Sequence, residues 1–73
     1  MIDKKKIGLN IKVVRENNKM SLLELSNIID ISEEKLMKIE MGKSLPTLKN
    51  MVDICNNFNI NIDKFVENCI LKL

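Results

Sequence analysis

Apolar residues recur along this chain every three or four positions, which is the spacing of helices that bury one face. The first series passes through Ile7, Ile11 and Val14, and a polar run at residues 16–19 follows it. The pattern predicts a first helix that begins at Ile7 and ends in this polar run.

A capping signal opens the second predicted helix. Ser21 and Glu24 have the spacing of a capping box, in which the serine hydroxyl accepts from the glutamate amide and the glutamate carboxylate accepts from the serine amide. We therefore expect a second helix from about Leu22 to Ile29.

A third helix follows after a short turn at residues 30–31. Ser32 is its expected N-cap, and the two acidic residues after it suit the positive end of the helix dipole. Gly42 suits the left-handed backbone that follows a helix, so the helix is expected to end near Met41. Two short helices joined by a tight turn, within residues 20–46, have the outline of a DNA-reading element.

Two more helices complete the pattern, with Thr47 as the expected cap of the fourth and Asn61 of the fifth. Five helices with short loops and no strand predict an all-α fold, and 73 residues suffice for a single domain with one modest core. The apolar spacing assigns inward positions to both helices: Leu48, Met51, Val52, Cys55 and Phe58 in the fourth, and Ile62, Phe65, Val66 and Cys69 in the fifth.

Composition indicates the compartment and the source. No stretch reaches the roughly 20 apolar residues of a membrane span, and the N-terminus lacks the apolar core of a signal peptide, so we expect a cytoplasmic protein. Eleven Ile, eleven Lys and ten Asn, against no Ala, are typical of an AT-rich genome such as that of a low-GC bacterium or its phage.

The available side chains argue against metal and enzyme chemistry. Cys55 and Cys69 are the only cysteines and histidine is absent, whereas a structural zinc site takes four such ligands. Two reduced thiols with Cys55 in the core are expected, with a disulfide as the alternative. The commonest general base is missing, and Asp30, Glu33 and Glu34 fit helix ends more simply than an acid–base or metal cluster. We expect no enzyme activity, no metal and no cofactor.

The sequence from Ile7 to Phe65 resembles, without a gap, the Cro/C1-type (lambda-repressor-like) helix-turn-helix domain of phage repressors and bacterial xenobiotic-response regulators. The resemblance implies a five-helix domain whose helices two and three form the helix-turn-helix, with a basic arm at residues 1–6 and a helix extension at residues 66–73. It also implies an ion pair between Arg15 and Glu40 that joins helix one to the end of helix three. The residues that carry the resemblance are Arg15, Ser21, Leu25, Ile31, Ser32, Ile39, Glu40, Gly42, Lys43 and Pro46.

The resemblance further implies that helix three enters the major groove of double-stranded DNA. At about 100° per residue, Leu36 and Ile39 face the core, and the opposite side of this helix is the candidate reading surface. The residues on that opposite side are Glu33, Glu34, Met37, Lys38 and Met41. In the family, bases are contacted from the positions that match Glu33, Glu34 and Lys38. Phosphates are contacted, or closely approached, from the positions that match Leu22, Lys35, Lys43 and Ser44. Ser32 belongs to the same surface.

Several residues depart from the family pattern. Leu22 stands where Gln commonly contacts a phosphate. Glu33 and Glu34 bring negative charge to the groove, where they can accept from the amino group of cytosine but are otherwise repelled by the backbone. Ser26 replaces the usual Ala between helices two and three, and Asp30 replaces the usual Gly at the turn; both are small enough to be tolerated, and Asp accepts a left-handed backbone better than most residues.

The charge distribution predicts weak or strongly sequence-dependent DNA binding. Residues 1–19 carry a net charge of +4, residues 20–46 carry −2, and residues 47–73 carry zero. The lysines at positions 4–6 are either a phosphate-contacting arm or a solvated start, and Glu34 with Lys38 has the spacing of a favourable surface pair.

Exposed apolar residues suggest a protein partner as well. They favour a homodimer that reads a palindromic operator as a transcriptional regulator, and equally an alternative in which the fold binds another protein, as an antirepressor or assembly module. The C-terminal residues Val66, Cys69, Ile70 and Leu73 are expected either to pack on the domain or to join the dimer, and no small-molecule ligand is expected. The resemblance implies that these apolar residues face solvent: Leu9, Val13, Leu22, Leu23, Ile28, Met37 and Met41.

Overall fold

The computed structural model describes residues 2–67, which form five helices and no β-strand. The predicted all-α, five-helix architecture is confirmed. The helices are α1 (Lys4–Asn17), α2 (Leu22–Ile28), α3 (Glu33–Glu40), α4 (Leu48–Asn57) and α5 (Ile62–Glu67).

The core is almost entirely aliphatic and receives side chains from all five helices. Phe65 is its single aromatic member among the fully buried residues. Phe58 packs against it from the end of α4 and is only partly buried. The buried apolar residues are Ile7, Ile11, Leu25, Ile29, Leu36, Ile39, Met51, Ile54, Cys55 and Phe65.

The first helix begins three residues earlier than predicted. Asp3 is its N-cap, and its Oδ1 accepts from the amides of Lys5 at 3.0 Å and Lys6 at 3.3 Å. Apolar periodicity marks only the turns that are buried, so the exposed first turn was not visible in that pattern. The prediction of a basic arm at residues 1–6 is therefore corrected: its lysines at positions 4–6 lie in the first turn of α1.

Gly8 sets the distance between α1 and α3. A Cβ atom at this position would overlap the carbonyl oxygen of Ile39 and lie 3.2 Å from that of Glu40. Only glycine therefore allows the backbone of α1 to lie directly on the last turn of α3. The sequence pattern did not single out Gly8, because a helical glycine carries no signal of which neighbour it approaches.

Four of the helices end on a residue with a left-handed backbone, namely Lys19, Asp30, Gly42 and Asn59. At Gly42 the two hydrogen bonds of a Schellman motif are present, from its own amide to Ile39 O at 3.0 Å and from the Lys43 amide to Lys38 O at 2.9 Å. Asp30, with φ of 57°, adopts the left-handed conformation that its small side chain tolerates.

The fourth helix is rotated relative to the prediction. Leu48 and Val52 were expected to face the core, but Leu48 is 68% exposed and Val52 is exposed as well. Thr47 caps the helix as predicted, and it does so in a capping box with Asn50, whose side chain is buried and accepts from the Thr47 amide at 3.1 Å. Burial of Asn50 and Met51 turns the Leu48 side toward solvent.

Two residues that were expected to face solvent are instead partly buried. Leu22 and Ile28, at the two ends of α2, both pack against the core. Cys55 is buried and unpaired among the described residues, and burial raises the pKa of its thiol. The predictions for Cys69, Ile70 and Leu73 lie outside the described residues.

Candidate nucleic-acid interface

The third helix has one buried face and one open face. Leu36 and Ile39 are completely buried, which fixes the rotation of α3 about its own axis. The side opposite to them is exposed along the whole helix, as predicted from the sequence. The exposed residues on it are Glu33, Glu34, Met37, Lys38 and Met41, which together are called the outer face of α3 below.

Capping residues and close packing hold the start of α3 against α2. The Ser32 hydroxyl accepts from the Lys35 amide at 3.0 Å, as expected of an N-cap. Ser26 is 1% exposed and donates its hydroxyl to Leu23 O at 2.8 Å, so burying this polar side chain leaves no unpaired group. The α2–α3 unit is therefore closely packed, and the hydroxyl groups of both serines are hydrogen-bonded.

The start of α2 is held by the predicted capping box. The Ser21 amide donates to Glu24 Oε1 at 2.9 Å, and the Glu24 amide donates to Ser21 Oγ at 3.0 Å. Because its carboxylate accepts from the Ser21 amide, Glu24 has a pKa below the ordinary value of 4.5.

A two-point ion pair anchors the end of α3. Arg15 donates from Nε to Glu40 Oε2 at 2.8 Å and from Nη2 to Glu40 Oε1 at 3.0 Å. Its third nitrogen donates to Met20 O at 2.9 Å, just before α2. The hydrogen bond to Glu40 raises the pKa of Arg15. The pair expected from the resemblance is thus present, and it joins α1, α3 and the segment that leads into α2.

The outer face of α3 carries little positive charge. Lys38 Nζ lies 3.4 Å from Glu34 Oε1, as the spacing predicted, and both side chains are more than half exposed. Such a pair contributes only a few tenths of a kcal/mol to stability, roughly 0.3–0.5. The Glu33 side chain has no hydrogen-bond or ionic partner within residues 2–67. With Glu33, Glu34 and Lys38 as its charged residues, the outer face bears a net charge of −1.

The residues expected beside phosphates have mixed environments. Lys35 and Lys43 are exposed, whereas Ser44 and Leu22 are partly buried, and Leu22 also contributes to the core. Lys5, one of the lysines for which phosphate contact was one of two alternatives, lies against Gly42: a Cβ built there would be 2.9 Å from Lys5 Cγ. This places Lys5 beside the loop that follows α3. The contact arises from tertiary packing, so spacing along the sequence could not indicate it.

The sequence pattern of the helix-turn-helix domain family matches residues 8–68. This chain belongs to that family. A 10 kDa protein of the ImmF control region of Bacillus phage phi105 is 32% identical to it over 69 residues, which are 92% of this chain and 77% of the phage protein. The family predicted from the resemblance is therefore confirmed, and so is the general function of a helix-turn-helix regulator.

Solved structures agree with this assignment. The restriction-modification controller protein C.AhdI from Aeromonas hydrophila superposes with a TM-score of 0.76 over 86% of this chain and 96% of its own, and at 17% identity it shows the fold alone. An HTH_3 family transcriptional regulator from Vibrio cholerae has a TM-score of 0.75 and 26% identity over 90% of this chain and 37% of its own. In residues 2–67 of this helix-turn-helix domain, no helix has the length and apolar composition needed to cross a membrane.

Proposed function

We propose that this helix-turn-helix domain is a sequence-specific transcriptional regulator that reads double-stranded operator DNA through the outer face of α3. The observation that carries the proposal is the anchoring of α3: two buried residues fix its rotation, and the Arg15–Glu40 pair fixes its end. A helix held in this way presents its open side as a rigid unit, which is what insertion into a major groove needs.

Each part of the interface has a chemical role in this proposal. Glu33, Glu34 and Lys38 meet base edges, and the carboxylates discriminate by accepting from the amino group of cytosine. Met37 and Met41 supply apolar contact on the same face. Phosphate oxygens or their immediate surroundings are met by Leu22, Ser32, Lys35, Lys43 and Ser44. Lys5 joins this set in the proposal because it lies beside Gly42, after α3.

The charge of the interface predicts how binding responds to salt. The outer face is slightly acidic, so affinity for the DNA backbone has to come from lysines at its edges, such as Lys5, Lys35 and Lys43. Few phosphates are neutralised, and the sequence-independent part of the affinity is correspondingly small. We expect a modest salt dependence and a large difference between operator and random DNA.

A dimer follows from the way such domains address DNA. Two recognition helices separated by roughly 34–36 Å meet successive turns of the duplex, and a twofold axis makes the operator a palindrome. A regulator of this kind works where the DNA is, in the cytoplasm of a bacterial cell. No enzymatic reaction, cofactor or small ligand forms part of the proposal.

Selection from a random duplex library tests the proposal directly. Wild-type protein should enrich a palindrome at low salt, and its affinity for the enriched site should fall as salt rises. Lys35→Gln should weaken binding to operator and random DNA alike, whereas Glu33→Gln should change the preferred sequence. Lys64→Gln is a matched control on α5, away from α3. Failure to enrich any sequence, with the helical circular dichroism intact, would refute DNA reading.

A second candidate function rests on exposed apolar side chains outside α3. The most exposed are Leu48 at 68%, Leu9 at 57% and Leu23 at 54%. Such exposure favours binding to another protein, as in an antirepressor or assembly module. Tight binding to a purified, co-expressed partner, together with no enrichment from the library, would establish this function in place of DNA reading.

A further inference from the structure

Met37 is one of two apolar residues on the outer face of α3 and lies among its charged residues. It is 44% exposed and lies one turn after Glu33, beside Lys38 in the chain. The core does not need it, because Leu36 and Ile39 already fill the inward side of α3 completely. Its side chain is therefore available for contact with whatever α3 meets outside the domain.

The charges around Met37 limit what that contact can be. Glu33, Glu34 and Lys38 are charged and exposed, so their partners on DNA are polar groups, whereas the apolar side chain of Met37 needs an apolar one. Base edges in the major groove present one apolar group, the 5-methyl group of thymine. A thioether side chain is flexible and polarizable, and it fits such a methyl group well.

We propose that Met37 packs against the 5-methyl group of a thymine in each operator half-site and is a specificity-determining residue. The proposal rests on the function proposed above and names the base that the apolar part of α3 reads. It distinguishes Met37 from the neighbouring carboxylates, whose chemistry suits cytosine.

Deoxyuridine lacks only the 5-methyl group and therefore isolates this contact. In the operator found by library selection, each thymine of a half-site is replaced in turn by deoxyuridine, symmetrically in both half-sites. At one position, wild-type affinity should fall about fourfold per half-site, since burial of one methyl-sized group is worth about 0.8 kcal/mol. Met37→Ala should lose a similar factor on the thymine operator and show no further loss with deoxyuridine.

Two control variants separate this contact from general effects. Met37→Leu keeps an apolar side chain and should remain sensitive to deoxyuridine. Lys64→Ala truncates an exposed side chain of α5 that belongs to none of the proposed interfaces, and it should leave operator affinity unchanged. Unaltered thermal melting of all three variants establishes that folding is intact.

The outcomes divide cleanly between the two proposals. The thymine contact is refuted, while DNA reading stands, by any of three results. The library selects no thymine, wild type binds thymine and deoxyuridine operators alike at every position, or Met37→Ala stays as sensitive to deoxyuridine as wild type. If the library yields no operator at all, the proposed function itself fails.

Discussion

At the residue scale, the position of α3 depends on a glycine and an arginine that lie in α1 and not on the outer face of α3. Gly8 lets α1 approach the backbone of α3, and Arg15 ties the same helix to Glu40. Breaking one member of such a pair leaves a carboxylate with a largely buried side chain unpaired, which costs far more than losing a surface pair. Both residues affect the outer face of α3 only by fixing the position of that helix.

Replacing Gly8 by Ala tests this close approach. Alanine normally stabilises an exposed helix by about 1 kcal/mol over glycine, but here its Cβ would overlap the Ile39 carbonyl oxygen, and α1 would have to move. We expect Gly8→Ala to lower the free energy of unfolding by about 1–3 kcal/mol, the usual cost of overpacking. Urea denaturation measures it, with Lys12→Ala on the exposed side of α1 as the control. A stabilised Gly8→Ala protein would show that the helices are not in contact there.

At the element scale, helix boundaries were predictable wherever a capping residue was recognised. The second and third helices began where Ser21 and Ser32 placed them and ended within about a residue of the prediction, since caps act through local hydrogen bonds. The start of α1 could not be predicted from apolar spacing, because its first turn is exposed and is fixed by the Asp3 cap. The outward face of α3 could be predicted from helical geometry alone, because burial of its two core residues allows only one rotation of the helix about its axis.

The rotation of α4 was harder to predict for a physical reason. Leu48 and Val52 share the helical spacing of the true core residues, and periodicity cannot separate two adjacent apolar stripes. The deciding residue is Asn50, whose polar side chain is buried because its oxygen caps the Thr47 amide. In the same way, the approach of Lys5 to Gly42 depends on how α1 crosses α3, which no local pattern records.

The capping box of α2 makes its stability dependent on pH. Glu24 has a lowered pKa in the folded protein because its carboxylate accepts from the Ser21 amide. A lowered folded-state pKa means that the stabilisation is fully present above the ordinary value of 4.5 and is lost as pH falls through the folded-state value. The Glu24 carboxyl should titrate below that ordinary value when followed by NMR.

Glu24→Gln is the matched variant, because glutamine retains the hydrogen bond of the box and cannot titrate. Below about pH 4.5, wild-type stability should fall more than that of Glu24→Gln in parallel urea denaturations. Identical acid dependence of the two proteins would contradict a stabilising role of the charged box.

At the scale of the whole molecule, the charge and apolar surfaces are segregated. Basic residues concentrate in α1, the outer face of α3 is slightly acidic, and a separate apolar strip runs from the loop before α4 along that helix. This strip consists of Leu45, Leu48 and Val52, which are 47%, 68% and 36% exposed. The outer face of α3 and this apolar strip are therefore separate surfaces.

We propose that the strip is where two copies meet on a palindromic operator. Lys49 and Asp53 lie beside it on the same helix and pair with each other at 2.9 Å, so the apolar strip has a polar edge. Three apolar residues fall well short of the roughly 800 Å² that each partner buries in a stable complex, so the dimer should be weak without DNA.

Replacing Leu48 by Ser tests this arrangement without adding charge. Wild type should bind a full palindrome much more tightly than a single half-site, since contact between two bound copies adds to the affinity. Leu48→Ser should lose most of that advantage, by about tenfold or more, while its affinity for the isolated half-site stays the same. Leu9→Ser, a comparably exposed leucine on α1, should keep the full advantage. If instead Leu48→Ser retains it and Leu9→Ser loses it, the copies meet through α1.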